Sequence, residues 1–357
     1  MRFRGRLWIG ATAGALVLAT IAPAVAASSP TPPSTSSASG APATAPAAQA
    51  GLEKAVAAAM LSRSGLSSAA LASKKQQPQV NAQRQSGMWS FGTSVITAAQ
   101  GDHTAPEGWL FVAESVNGQW KVGLEGTPAF AEMIARSPDA LVDRAEKQTF
   151  ANNARNAPKA ATALQARTGL ALPYPQGESW AIIGGPHGWS GQPRPWSSID
   201  LNKTFGRGSY RVLAAQSGRA YDMCRNGGHV RIVHDNGWTT EYYHLANEIR
   251  PNGTPVKMGD YLGMTSTRIP CGGSAGSNHV HFGLKQGGSF VPLAGKTIGG
   301  WTFVEGSRAY SGSARRGGTT VGVGGFIQNY GTETTTQPNP EPSPTVSPST
   351  PPCSQEK

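Results

Sequence analysis

The sequence predicts an all-β domain of short antiparallel strands, preceded by a small α+β unit. Three observations carry that prediction. The 357 residues include 45 Gly and 27 Pro, which favours a chain of many turns. From Leu172 onward, short β-branched and aromatic runs alternate with Asn-Gly and Gly-rich turns, and long helical periodicity disappears. Ahead of that point, helical stretches are mixed with strand-like runs. The length suits two globular units plus tails, and only 14% of residues are charged, a poor fit to a helical bundle. The net charge of +11 points towards anionic surroundings such as nucleic acid, acidic lipid or cell-wall polymer, without choosing among them.

Taken in order, Arg2, Arg4 and Arg6 precede an apolar run from Leu7 to Ile21 that ends in Ala24-Val25-Ala26. This is the pattern of a secretory signal over residues 1–26, cut after Ala26. The run is short and broken by Gly10, Gly14 and Pro23, which argues against a membrane anchor, and a secreted protein with no membrane contact after signal removal is expected. Residues 27–50 are almost wholly Ser, Pro, Ala, Thr and Gly and read as a disordered linker.

Residues 51–167 read as the α+β unit. Gly51 to Arg63 is Ala-rich and helix-prone, Trp89 to Thr97 and Trp109 to Val116 are strands, and Asn117-Gly118 turns into a third strand from Gln119 to Leu124. Thr127 to Arg167 reads as helices broken at Ser137-Pro138-Asp139. Residues 168–325 form the all-β domain, which carries 15 basic and 8 acidic residues. Residues 326–357 read as a disordered Pro/Ser/Thr-rich tail, and no internal repeat is present.

Six of the seven histidines, His187, His229, His234, His244, His279 and His281, fall in the β domain. In His279-Val280-His281, side chains two apart on a strand share a face, so both imidazoles converge on one point. With His187 in Gly-Gly-Pro-His-Gly-Trp, Asp200 in Ser-Ser-Ile-Asp-Leu and His244 in Glu-Tyr-Tyr-His-Leu, the set has the donors for a metal. Two His and one carboxylate leave a tetrahedral zinc one open position for water, the requirement for catalysis. His234 precedes Asp235-Asn236-Gly237 and shares a face with Val230 and Ile232, which suits a buried structural role. If Asn236-Gly237 is a two-residue turn, His229 faces His244; a three-residue turn with a bulge breaks that register. His103 reads as a surface residue.

These residues resemble the M23 family of zinc metallopeptidases, in the branch of the LasA staphylolysin and the β-lytic endopeptidase. The wide spacing of His187 and Asp200, the block from Val230 to Leu245 and the block from Gly276 to Phe282 are similar to that branch in the same order. The resemblance covers about Tyr174 to Gly312, well under half of the chain. It implies antiparallel sheets forming an open groove, one Zn2+ held by His187, Asp200 and His281, and unligated His244 and His279 as general acid or base and oxyanion stabilisers. Tyr310, 29 residues beyond His281, sits near where that branch has a Tyr that hydrogen-bonds the tetrahedral intermediate.

The resemblance also implies a disulfide between Cys224 and Cys271, worth roughly 3 to 4 kcal/mol in the chain-entropy model; Cys353 is left over. It further implies a precursor in which 51–167 is a prosegment, and a secreted monomer that cuts peptides of bacterial peptidoglycan, at bonds beside glycine in cross-bridges. Two other readings are an inactive relative that binds the wall or activates a partner, and a cupin-like barrel. Inactive relatives lose ligands, whereas all five residues stand here, and a cupin lacks the spaced His187 and Asp200 and the His244 block. Nucleic-acid and membrane binding have no motif support.

Overall fold

The computed structural model describes residues 45–99, 104–157, 166–204, 208 and 210–332. The expected signal sequence, most of the linker, His103, and the end of the tail with Cys353 lie outside these residues. The described residues form one compact unit.

The described residues open on helices α1 (Ala45–Ser64) and α2 (Ser68–Ser73). The linker expected over 27–50 therefore ends earlier, because Ala47, Ala48, Gln49 and Ala50 extend the helix-favouring run upstream of Gly51. Leu52, Val56 and Met60, one turn apart, anchor α1 to a four-stranded antiparallel sheet. Its strands are β1 (Pro78–Ser86), β2 (Trp89–Ile96), β3 (Glu107–Val116) and β4 (Gln119–Leu124), paired in sequence order. β1 is polar, with Val80 its only fully buried residue, so its sequence carries no strand signal and pairing with β2 defines it. Asn117 and Gly118 both take positive φ in the two-residue turn between β3 and β4.

Helices α3 (Pro128–Arg136) and α4 (Arg144–Asn156) follow, each started by a side-chain cap: Thr127 Oγ1 accepts from Phe130 N and Asp143 Oδ1 from Glu146 N. Ser137, extended before Pro138, ends α3 as expected.

The remaining strands, in chain order, are β5 (Ala166–Leu170), β6 (Ser179–His187), β7 (Ser198–Asn202), β8 (Arg211–Leu213), β9 (Gly218–Asp222), β10 (His229–Val233), β11 (Trp238–Tyr243), β12 (Leu245–Ala246), β13 (Asn252–Val256) and β14 (Tyr261–Thr265). After them come β15 (Val280–Gln286), β16 (Ser289–Phe290), β17 (Lys296–Ile298), β18 (Trp301–Glu305), β19 (Gly312–Arg316), β20 (Thr319–Gly322) and β21 (Phe326–Gln328). The main sheet runs β13-β9-β10-β11-β15-β7-β6-β21, with β16 beside β15; smaller sheets are β12-β14-β8 and β20-β19-β18-β17-β5. All pairs are antiparallel except β5 with β17.

The expected tail boundary at 325 also moves. β21 pairs with β6, Ile327 is buried, and the Asn329 side chain bonds the backbone of Leu172 and Tyr174. The Thr- and Pro-rich composition begins only at Thr332, so nothing before it prevents a strand.

Strand alternation gives the main sheet two faces of different character. Val230, Ile232, Tyr242, Val280, Phe282, Leu284, Ile199 and Leu201 point into the β domain's own core. The opposite face carries His187, Asp200 and His281 together with Tyr243, Val233 and Tyr221. The last three pack against Phe91, Leu110, Val112, Phe130, Met133 and Phe150 of the α+β unit. The face that the resemblance makes an open groove is therefore roofed in this chain by its own N-terminal unit. Polar ties reinforce the roof: Arg84 bridges to Glu146, which accepts from Tyr221 Oη at 2.6 Å, and Asn153 Nδ2 donates to the carbonyls of His234 and Trp238.

The hairpin turn settles the register left open by the sequence. His234 N bonds Trp238 O around the three residues Asp235-Asn236-Gly237, Gly237 has φ +92°, and His229 pairs with Tyr243 rather than His244. Cys224 and Cys271 form a disulfide with Cα atoms 5.9 Å apart. Among the described residues no helix is long and apolar enough to cross a membrane.

Candidate metal centre

His187 ends β6, Asp200 lies in the middle of β7 and His281 is the second residue of β15, and the pairing of β7 with β15 sets Asp200 directly opposite His281. Their donor atoms converge. Asp200 Oδ1 lies 2.8 Å from His281 Nδ1 and 3.5 Å from His187 Nε2, and the two imidazole nitrogens are 3.2 Å apart. The outer nitrogen of each ring fixes its tautomer. His187 Nδ1 donates to the Gly185 carbonyl at 2.7 Å, and His281 Nε2 donates to the Trp189 carbonyl at 3.2 Å. A carbonyl only accepts, so those nitrogens hold hydrogens, and in the neutral rings the inner pair present lone pairs. With both rings neutral, three lone-pair donors face one point, an arrangement that suits a cation. A tetrahedral zinc with bonds of about 2.0–2.1 Å separates its donors by about 3.3 Å, in keeping with this set.

Electrostatics keep two of the donors, His187 and Asp200, in the state a metal requires. Burial pushes His187 down to about 4, so its ring is neutral near pH 7. Burial alone raises the Asp200 carboxyl, but His187, His279 and His281 outweigh it and hold the group below the ordinary carboxylate range.

Two more imidazoles and a phenol complete the cleft. His279 Nδ1 donates to the Ser277 carbonyl at 2.7 Å, leaving Nε2 3.5 Å from Asp200 Oδ1. His244 Nδ1 donates to the Arg268 carbonyl at 2.8 Å, and its ring centre lies 4.7 Å from that of His279. Burial, then the neighbouring His279 and His281, hold His244 well below its ordinary value and therefore neutral. Tyr310 stacks on His187 at 3.9 Å; burial and the Asp200 charge raise its phenol, keeping it protonated.

His244 and Tyr310 both have left-handed backbones, with φ of +63° and +65°. Strand alternation would send His244 to the face opposite Tyr243; the left-handed turn breaks that alternation and returns the ring to the metal face. Tyr310 is pinned by its own backbone, whose N donates to Pro186 O and whose carbonyl accepts from Gly185 N.

Five of the six site residues named from the sequence, Asp200, His244, His279, His281 and Tyr310, line a cleft of about 190 Å³, with His187 buried beside Asp200, His281 and Tyr310; the lining also includes Thr104 and Ala105 of the α+β unit. Sequence reasoning missed Trp189, whose carbonyl orients His281 and whose Nε1 donates to Pro106 O at 2.7 Å. It also missed Gly184, although that residue lies in the quoted surroundings of His187. A Cβ at Gly184 would stand 2.5 Å from Asp200 Oδ2, so this glycine makes room for the carboxylate. Gly184→Ala is expected to lower zinc affinity by roughly 10- to 100-fold, as displaced ligand geometry does. Gly276→Ala, with open space at its Cβ, is expected to leave it unchanged. Competition with a chromophoric chelator measures both; equal affinities refute the positioning role.

Residues 194–292 match the model of peptidase family M23. Over 157 residues the chain is 33% identical to a beta-lytic metalloendopeptidase of Lysobacter enzymogenes, covering 41% of this chain and 85% of that protein. The chain belongs to peptidase family M23. Within this M23 family it is also 35% identical over 174 residues to Protease LasA of Pseudomonas aeruginosa, covering 44% of this chain and 40% of that one. The chain thus spans about two fifths of the length of LasA. Among solved structures, the M23 metalloprotease pseudoalterin from the deep sea aligns with 30% identity and a TM-score of 0.41, over 44% of this chain and 97% of that one.

Proposed function

We propose that this M23 chain is a secreted zinc metalloendopeptidase that hydrolyses peptide bonds of bacterial peptidoglycan, at glycine-containing cross-bridges, and acts as a monomer. The observation that carries the reading is the convergence of three lone-pair donors beside two unligated imidazoles and a protonated phenol. The names of the relatives, a protease and a metalloendopeptidase, support it. His187, Asp200 and His281 would hold the zinc. When bound, zinc supplies Lewis acidity that lowers the pKa of water to about 7 and polarises a carbonyl.

The chain's own groups handle protons and charge. With Nδ1 committed to backbone carbonyls, Nε2 of His244 and of His279 accepts a proton from water or, once charged, gives it to the leaving amine. The Tyr310 hydroxyl, kept protonated, donates to the carbonyl oxygen as negative charge develops there. Mass spectrometry of fragments released from defined peptidoglycans tests the substrate. Cuts at glycine bonds, abolished by a chelator and restored by zinc, are expected; wall binding without release would favour the inactive, activator-type alternative.

We further infer that the N-terminal unit is a prosegment. It roofs the sheet face around the site, and Thr104 and Ala105 line the cleft that an extended peptide must enter. In the sequence, Pro158, an Ala-rich stretch and Gly169 separate the helical unit from the first β-domain residues, which predicts a maturation cut between about Asn156 and Pro173. Leu170 and Leu172 are buried in the β-domain core and β5 pairs with β17, so the inferred cut lies before Ala166, in 158–165 with its Pro158 and Ala-rich composition. N-terminal sequencing of active secreted enzyme is expected to start there. If protein that begins near Ala27 is as fast as the processed form, the unit is an accessory domain instead.

A further inference from the structure

We propose that Arg231 and Lys285 form a subsite for a carboxylate on the substrate peptide, and that Glu125 of the prosegment occupies it in the uncleaved chain. The proposal rests on the peptidase and prosegment reading above. On the face that carries the metal donors, Arg231 stands opposite Glu241, Glu241 opposite Gly283, and Lys285 opposite Thr239. Arg231, Glu241 and Lys285 are all buried beneath the roof.

The β domain itself supplies one carboxylate for these two cations. Arg231 Nε donates to Glu241 Oε1 at 2.7 Å, Lys285 Nζ lies 3.8 Å from the same oxygen, and Glu241 Oε2 is 2.8 Å from His229 Nε2. The remaining partners come from the prosegment. A guanidinium nitrogen of Arg231 bonds the Glu125 carboxylate, and the carbonyl of Gly108 accepts from Arg231 Nη2 at 2.8 Å and from Lys285 Nζ at 3.4 Å. One carboxylate and one backbone carbonyl are what an acidic residue in an extended peptide offers.

Removal of the prosegment takes both groups away and leaves two cations against one anion in the groove. A planar guanidinium fork beside an ammonium is suited to capture a carboxylate in their place. In the uncleaved chain burial, together with Arg231, holds Lys285 down to about 8, so beneath the roof it is charged near pH 7. Burial pushes the Glu241 carboxyl up, but Arg231 and His229 outweigh it and hold it at about 2.

The distance fits a peptide that also reaches the metal centre. Arg231 lies two strands and two residues from His281, and Lys285 four residues along the same strand. At ~4.8 Å per strand and ~3.4 Å per residue this is roughly 12 to 14 Å, or about four residues of extended chain. Trp189, over Gly283 and beside the His281 ring at 4.5 Å, lies between the two sites.

The test uses secreted enzyme processed from the full chain and two matched peptide pairs around one glycine bond. One pair carries Glu or Gln four residues from the bond on either side; the other has a free or an amidated C-terminus at that distance. Binding by fluorescence polarisation and cleavage kinetics are measured on the same samples. One pair is expected to show about tenfold tighter binding of the acid, expressed in KM more than kcat, and the discriminating pair identifies the carboxylate as side chain or terminus. Lys285→Met and Arg231→Gln should each cut the ratio to below about threefold. Equal binding of acid and amide in both pairs by the unsubstituted enzyme overturns the subsite, whatever the variants do. If no peptide is cut, the peptidase reading fails, while the binding ratio still decides the subsite.

Discussion

Enzyme carrying His281→Ala or Asp200→Ala is expected to lose tight zinc binding and nearly all hydrolysis while keeping its fold. Each substitution removes one of three donors that meet within hydrogen-bond distance of each other, and two remaining donors do not hold a tetrahedral ion tightly. The lost Lewis acidity is worth several kcal/mol at the transition state, so turnover should fall by roughly a thousandfold or more. Metal content by atomic emission, turnover on a glycine-containing peptide and far-UV circular dichroism on the same samples separate loss of metal from loss of fold. Dialysis of the unsubstituted enzyme against a chelator should reproduce the defect, and zinc should restore the unsubstituted enzyme alone. Full metal content in both variants would sink the ligand assignment.

His244→Ala and His279→Ala should produce a different phenotype. Neither ring belongs to the converging triplet, and each presents Nε2 to the cleft because Nδ1 is held by a backbone carbonyl. Most of the zinc should stay bound while kcat falls by roughly 10²- to 10⁴-fold, the scale of a lost general acid or base. Because the two imidazoles lie within 4.7 Å of each other and serve the same protons, the double variant should be little worse than the slower single one. Metal analysis beside kcat decides the point: metal lost in proportion to activity in either single variant would mean that ligand and proton carrier have been exchanged.

What could be read from the sequence was local in origin. Two-residue alternation put His279 and His281 on one side, and the structure has both near Asp200 Oδ1. Strands with clean alternation and the helix break at Ser137-Pro138 lie close to where their residues predicted, but the helical reading carried to Arg167 ran too far: α4 ends at Asn156, and Ala166–Leu170 is a strand defined by its pairing with β17. Polar β1 and the edge strand β21 were missed because pairing with β2 and β6, rather than composition, makes them strands. The charged cluster had a faint signal: Arg231 and Glu241 interrupt apolar and β-branched runs at positions that face one way, a placement that only a covered or binding face tolerates.

By itself, then, the sequence determined the residue types, their spacing and the alternation that assigns each to a face, because those follow from backbone geometry over a few residues. The tertiary structure decided what depends on distant partners. Asp235-Asn236-Gly237 admits a two- or a three-residue turn, and the folded hairpin takes the three-residue form with Gly237 left-handed, which moves His229 from His244 to Tyr243. The tautomers of His187 and His281 depend on the carbonyls of Gly185 and Trp189, the second of them 92 residues away from His281 in the chain. The roof over the groove depends on pairs such as Glu125 with Arg231, separated by 106 residues. Sequence proximity carries no information about such contacts, since they form only when burial of the shared apolar core brings the two units' surfaces together.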